Sequence, residues 1–159
     1  MPSLADYYTS NLNPNAYGYP IRDPYPSELL YYMNNRNVGG QFGGGFGDLG
    51  DKTITLNPYS RLNKAQKDWV AKNEAARMWM LENQYSSPEA TTAQKRSMQG
   101  TPYGINQAAL NDTMLARVMF GDPSAIEPSF MQRNASDYVY RRLNQRKPAS
   151  NLVDLFNTF

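Results

Sequence analysis

The sequence predicts a mainly α-helical protein: a small bundle of short helices preceded by an extended Tyr/Pro/Gly-rich N-terminal arm, with little or no β structure. Three observations predict it. Seven of the 12 tyrosines and five of the 11 prolines fall in the first 32 residues, and each X-Pro pair disfavours helix at the residue before it. Seven of the 11 glycines lie between Gly39 and Gly50, where ordering the backbone costs the most entropy. From Asn63 onward, apolar residues recur at three- and four-residue spacing between recognisable caps, as helices with one buried face require.

In the arm, the prolines at 14, 20, 24 and 26 leave no room for a helix between them. Tyrosine offers a large flat body with a polar tip and few rotors to immobilise. A purely solvating segment would be rich in charge and poor in aromatics, so the arm is expected to order against a partner. A wrap over its own module and a loose tail are the other readings. The expected contacts are Tyr7, Tyr8, Tyr17, Tyr19, Tyr25, Tyr31 and Tyr32. Within the arm, SELLYYMN (27–34) suits a short helix with Ser27 as cap. The stretch VGGQFGGGFGDLGD reads as a hinge, neither helix nor packed strand, with Phe42 and Phe46 as anchors. It lacks the GxxxxGK[ST] pattern of a phosphate-binding loop, so no nucleotide is expected. KTITL (52–56) alternates and is β-branched, which predicts one short strand. Its partner belongs to the arm or to another subunit.

The helical module follows Asn57-Pro58. Its first helix is predicted from Asn63 to Asn83, opened by a capping box in which Asn63 and Gln66 satisfy each other's backbone amides. Ala65, Trp69, Ala76 and Met80 form its buried stripe, widened by Val70 and Trp79; Glu74 and Glu82 are expected on the solvated side. Asn73 lies inside the stripe, either as a satisfied boundary amide or as a register-setting contact. A short second helix is predicted after Ser87-Pro88-Glu89, ending at Gly100. The third runs from about Asn106 to Phe120, with Leu110, Met114, Leu115, Val118 and Met119 buried, and is stopped by Gly121 and Pro123. The fourth runs from about Ser129 to Arg146, with Met131, Ala135, Tyr138, Val139 and Leu143 on one side. Finally, Leu152, Leu155, Phe156 and Phe159 fall at i, i+3, i+4 and i+7, the pattern of a helix laid into a groove. Docking onto its own bundle and onto a partner both fit. The chain therefore divides into arm and hinge (1–50), helical module (51–147) and C-terminal docking helix (148–159).

Composition excludes several chemistries. With 159 residues the chain has room for one ordinary domain, and its net charge of +2 argues against strong steering towards nucleic acid or anionic membrane. Cysteine and histidine are both absent, which removes disulfides, thiolate nucleophiles, thiolate or imidazole metal sites and histidine bases. No serine stands in a nucleophile-elbow context, and Asp122 and Asp137 suit a cap and a helix surface. No catalytic, cofactor or metal-binding residue is assigned, and the expectation is a protein that is not an enzyme. No apolar run approaches the ~18–20 residues of a membrane span, and MPSLADYYTS lacks the regions of a signal peptide; a soluble protein made without export is expected. Residues 63–147 hold 12 Lys/Arg against eight acids. Arg141, Arg142, Arg146 and Lys147 crowd the end of the fourth helix, either as a solvated helix end or as phosphate contacts.

The stretch TLNPYSRLNKAQKDWVAKNEAARMWM, followed by TPYG and by ARVMFGDPSA, resembles small proteins of tailed bacteriophages. In these an NPYS-type turn precedes a helix with an NEAAR-like core, and a later helix ends in GDPSA. The similarity covers roughly Thr55 to Ala125. It implies a phage origin and a minor virion component, made in the host cytoplasm, and assigns no active residues. The expected function is structural: binding capsid, portal or tail proteins through the arm and the C-terminal segment, with self-association as a further option. The alternatives are a small nucleic-acid-binding helical protein acting through Arg141, Arg142, Arg146 and Lys147, and a host-directed inhibitor acting through the tail helix.

Overall fold

A computed structural model of the chain describes residues 15–43, 51–101 and 106–146. Among them, helix dominates. Five α-helices, α1 (Pro26–Asn34), α2 (Lys64–Glu82), α3 (Thr92–Ser97), α4 (Gln107–Met119) and α5 (Phe130–Asn144), accompany four short strands, β1 (Asn15–Ala16), β2 (Tyr19–Pro20), β3 (Gly40–Phe42) and β4 (Ile54–Leu56).

α2 is the central element. Its capping box forms as expected: the Asn63 side chain accepts from the Gln66 amide at 2.9 Å, and Gln66 Oε1 accepts from the Asn63 amide at 2.9 Å. The expected single stripe does not describe its burial. Ala65 is exposed and Trp69 only half-buried, while Ala71, Asn73, Glu74, Ala75, Ala76, Met78, Trp79 and Met80 are all buried. The helix is enclosed from several sides, because β1, β3, β4, α4 and α5 all pack against it. Glu74 therefore lies in the interior with Arg77 at 3.1 Å, and Glu82 is mostly enclosed beside Lys52 at 3.3 Å. Asn73 donates to the Trp69 carbonyl one turn back at 2.9 Å, a contact within its own helix.

The helices around it begin where side chains can cap them. α3 starts at Thr92, not after Pro88, because Thr91 and Gln94 form the reciprocal cap; Ser87 instead donates to Asp112 on α4 at 2.6 Å. The turn after α3 reaches Gly100 at φ +80. α4 is capped by Asn106 and ends at Phe120 before Gly121, whose φ is +70. Its Leu110, Met114 and Leu115 are buried as expected, and Val118 and Met119 only in part. α5 is capped by Ser129 with Gln132. It buries Ala135, Val139 and Leu143 as predicted, together with Gln132 and Ser136. Met131 and Tyr138 are exposed, contrary to the sequence reading. The reason is a buried amide pair: Gln132 and Gln94 donate to each other at 2.7 and 3.1 Å with no exposed surface. Satisfying these amides rotates α5 so that Gln132 faces inward.

Part of the arm belongs to the same body. Asn15–Ala16 and Tyr19–Pro20 pair antiparallel across Tyr17-Gly18, both with positive φ (50 and 84), the backbone of a two-residue hairpin. The chain then runs beside β4, with Ile21 bridging Ile54 and the Arg22 amide donating to the Ile54 carbonyl at 2.9 Å. β4 pairs antiparallel with β3, Gly40 opposite Leu56 and Phe42 opposite Ile54. Part of the glycine-rich stretch is thus a packed strand. Gly40 makes it possible: a Cβ there would stand 2.7 Å from the Thr55 carbonyl oxygen. Ala16, Tyr19, Ile54 and Leu56 share one apolar core with α2, α4 and α5, and a smaller cluster of Ala90, Met98, Leu110 and Met114 lies under α3.

Candidate interaction surface

The arm tyrosines divide into two sets. Tyr19 and Tyr32 have no exposed surface. The Tyr32 hydroxyl shares a 2.6 Å hydrogen bond with Thr55 Oγ1 and lies 3.2 Å from the Thr55 carbonyl oxygen. Burial pushes its ionisation up, against the Thr55 hydrogen bond, which lowers it. Tyr19 carries the Arg146 guanidinium 3.8 Å over its ring. Its ionisation is raised by burial and by the facing Glu82 carboxylate, with Arg146 opposing. Neither the Tyr19 hydroxyl nor Glu82 Oε1 completes a hydrogen bond of good geometry. Tyr17 stacks on Phe120 at 6.2 Å and meets Tyr140 edge-on at 6.4 Å, and burial with Tyr140 beside it pushes its pKa up to about 12. These three side chains are occupied inside the chain. A partner reaches Tyr19 or Tyr32 only if the arm comes away.

Tyr25 and Tyr31 form the second set, and α1 explains why. The helix is capped two residues earlier than expected, because Pro26 takes the first helical position and Glu28 Oε1 accepts from the Tyr25 amide at 3.0 Å; Ser27 does not cap it. Glu28 also receives Arg22 at 2.8 Å, and Arg22 reaches Asp51 at 3.0 Å and the Thr53 hydroxyl at 2.8 Å. The inner face of α1 is thus Glu28 and Tyr32, tied to β4 and its flanks. Pro26, Leu30 and Met33, at i, i+4 and i+7, are exposed, Leu30 at 60 % and Met33 at 44 %, with the polar Ser27 and Asn34 exposed beside them. Tyr25 and Tyr31 flank them at 56 % and 41 %. This reverses the usual order of a surface helix, in which charge points outward and apolar residues inward. The only charged residue of the helix is Glu28, and it faces in.

A second apolar surface lies at the start of α5, where Phe130 is 76 % and Met131 68 % exposed. They border a groove of about 460 Å³ with Pro88, Ala90, Thr91 and Lys95. Along the same helix Tyr138 stacks on Tyr85 at 5.8 Å, and Arg142 lies 5.7 Å over Tyr138. Sequence periodicity placed Met131 and Tyr138 in the core, so this surface was missed; the Ser129–Gln132 cap pair was the available signal, because it orients the first turn.

The basic cluster is split. Arg141 and Arg142 are exposed, but Arg146 donates to the Tyr17 carbonyl at 3.0 Å and covers Tyr19. Phe42 is half-buried against the core, with Arg77 5.4 Å from its ring centroid. Tyr7, Tyr8, Phe46, Lys147, Leu152, Leu155, Phe156 and Phe159 lie outside the described residues. Among the described residues no group of three or more acids could hold a metal ion, and no helix is long and apolar enough to cross a membrane. No protein-family model, no curated protein and no solved structure matches the chain.

Proposed function

We propose that the protein is a non-catalytic assembly component, a minor structural protein of a phage virion as its sequence resemblance implies, and that it joins neighbouring virion proteins through α1. The observation that carries the binding role is the outward ridge of Pro26, Leu30 and Met33, rimmed by Tyr25 and Tyr31. An uncharged helix face with anchors at i, i+4 and i+7 suits a groove on another protein. Its base is fixed beforehand by Tyr32 and by the Arg22–Glu28 pair, which lowers the ordering cost of binding. The nucleic-acid alternative is weakened, because Arg146 is engaged with the arm.

The test is particle composition. A Leu30→Glu, Met33→Glu double variant should keep the melting temperature of the isolated protein, since both side chains are exposed, and should be lost from purified particles by quantitative mass spectrometry. Incorporation at the wild-type level would sink the reading.

A further inference from the structure

The hairpin of residues 15–20 is held unevenly. From Ile21 onward the chain is fixed to β4 by the Ile21–Ile54 bridge, by the Arg22 amide on the Ile54 carbonyl at 2.9 Å and by Arg22 Nε on Thr53 Oγ1 at 2.8 Å. At the hairpin's tip, Phe120 and Tyr140 meet the Tyr17 ring, and Arg146 Nε donates to the Tyr17 carbonyl at 3.0 Å. Between these attachments the fit is poor. A cleft of about 360 Å³ lies between Ala16, Tyr17 and Ile21 on one side and Asp68, Ala71 and Lys72 of α2 on the other. Tyr19 is enclosed, yet its hydroxyl and the facing Glu82 Oε1 complete no hydrogen bond. Tyr17 holds a φ of +50, where an aromatic side chain is strained. The docked hairpin therefore carries backbone strain and two uncompensated polar atoms, which opening would relieve. Arg146 opposes this: its Nε holds Tyr17 while its guanidinium lies 3.8 Å over the Tyr19 ring, so one side chain engages both the turn and the second strand.

We infer that residues 15–20 form a releasable strap, with Arg146 as its catch and the Ile21–Ile54 pairing as its hinge. Opening takes Ala16 and Tyr19 out of the core and parts the Tyr17 ring from Phe120 and Tyr140. Tyr17 and Tyr19 are then open to a partner. The device is separate from the docking role of α1, because Arg22 and Tyr32, which seat that helix, lie beyond the hinge and stay in place.

Hydrogen exchange of the full-length protein, read by segment, tests the strap. A two-stranded hairpin is not stable alone, so release lets its amides exchange. In wild type, residues 15–20 should exchange more slowly than an unprotected chain but faster than α2 and α5. Arg146→Gln should speed exchange of that segment roughly tenfold or more while α2 and α5 keep their wild-type protection. Tyr19→Phe removes one orphaned atom and keeps a ring under Arg146, so it should slow exchange of the same segment. A hairpin that exchanges in step with α2, in wild type or in Arg146→Gln, belongs to the cooperative core and overturns the inference. So does a hairpin unprotected in wild type, or one that Arg146→Gln leaves at the wild-type rate. Exchange in Tyr19→Phe as fast as wild type or faster would overturn it too, since the closed state would then carry no relievable cost at Tyr19.

Discussion

Glu74 sits on the inner side of α2 with its carboxylate enclosed and Arg77 at 3.1 Å. Burial raises its pKa, and the nearby guanidinium offsets only part of that. A carboxyl whose folded pKa lies above its unfolded value binds its proton more tightly in the fold. Its contribution to stability is complete below the unfolded pKa and is lost as pH rises through the folded one. Gln cannot titrate. The stability of Glu74→Gln relative to wild type should therefore improve as pH rises above the ordinary Glu pKa of about 4.3 in urea unfolding. The slope reads Glu74, whatever constant offset follows from losing the Glu74–Arg77 ion pair. A flat or falling difference would mean that Arg77 neutralises the burial cost. Asp51 has the opposite sign: burial raises its pKa, but hydrogen bonds from Thr53 and Arg22 bring it below the ordinary value, so its contribution disappears as pH falls.

β3 and β4 depend on one close approach. A Cβ at Gly40 would meet the Thr55 carbonyl oxygen at 2.7 Å and Leu56 Cδ2 and Val70 Cγ1 at 3.0 Å. Backbone cannot step aside as a side chain can, so Gly40→Ala should cost about 1–3 kcal/mol in urea unfolding. At Gly39 the nearest atom is a Val70 methyl at 2.9 Å, which can yield by a small rotation, and Gly39→Ala should cost less. Equal costs would show that the β3–β4 pairing opens freely. Composition misled here: glycine counts measure the entropy of ordering a chain, but at Gly40 the missing side chain is what lets the strand pack. The helices were more legible. The Asn63–Gln66 cap is a local interaction, satisfied within one turn, and it occurs where the sequence predicts; α4 and α5 begin beside the predicted Asn106 and Ser129.

The described arm and the helices form one body. Residues 15–43 supply Ala16, Tyr19 and Tyr32 to the buried set, and Arg146 at the far end of the chain closes over Tyr17 and Tyr19. The boundary expected at residue 50 is therefore not a boundary of the core, and a module starting at 51 would lose the β3 and Ile21 pairings of β4. Alkaline titration reads this docking directly. Raised pKa values at Tyr17, Tyr19 and Tyr32 mean that their contribution to stability is present below the ordinary phenol pKa of about 10 and lost as pH rises above it. Absorbance at 295 nm should leave these three un-ionised through about pH 11 while helix content persists, and release them when the fold is lost. Titration of all 12 tyrosines as one group near pH 10, with helix intact, would show that the arm is free.

By itself the sequence determined the predominance of helix, the cap of α2, the approximate starts of α4 and α5, and the short strand at β4, because these follow from interactions between residues three or four apart or from strict alternation. The tertiary structure alone decided which faces those elements bury. Gln132 turns inward because Gln94, 38 residues away, completes its hydrogen bonds, and that rotation leaves Met131 and Tyr138 outside. Glu28 and Tyr32 turn inward because Arg22 and Thr55 receive them, and that leaves Leu30 and Met33 on the surface. In both cases a polar side chain with a distant partner sets the orientation, and periodicity of apolar residues carries no record of where that partner lies.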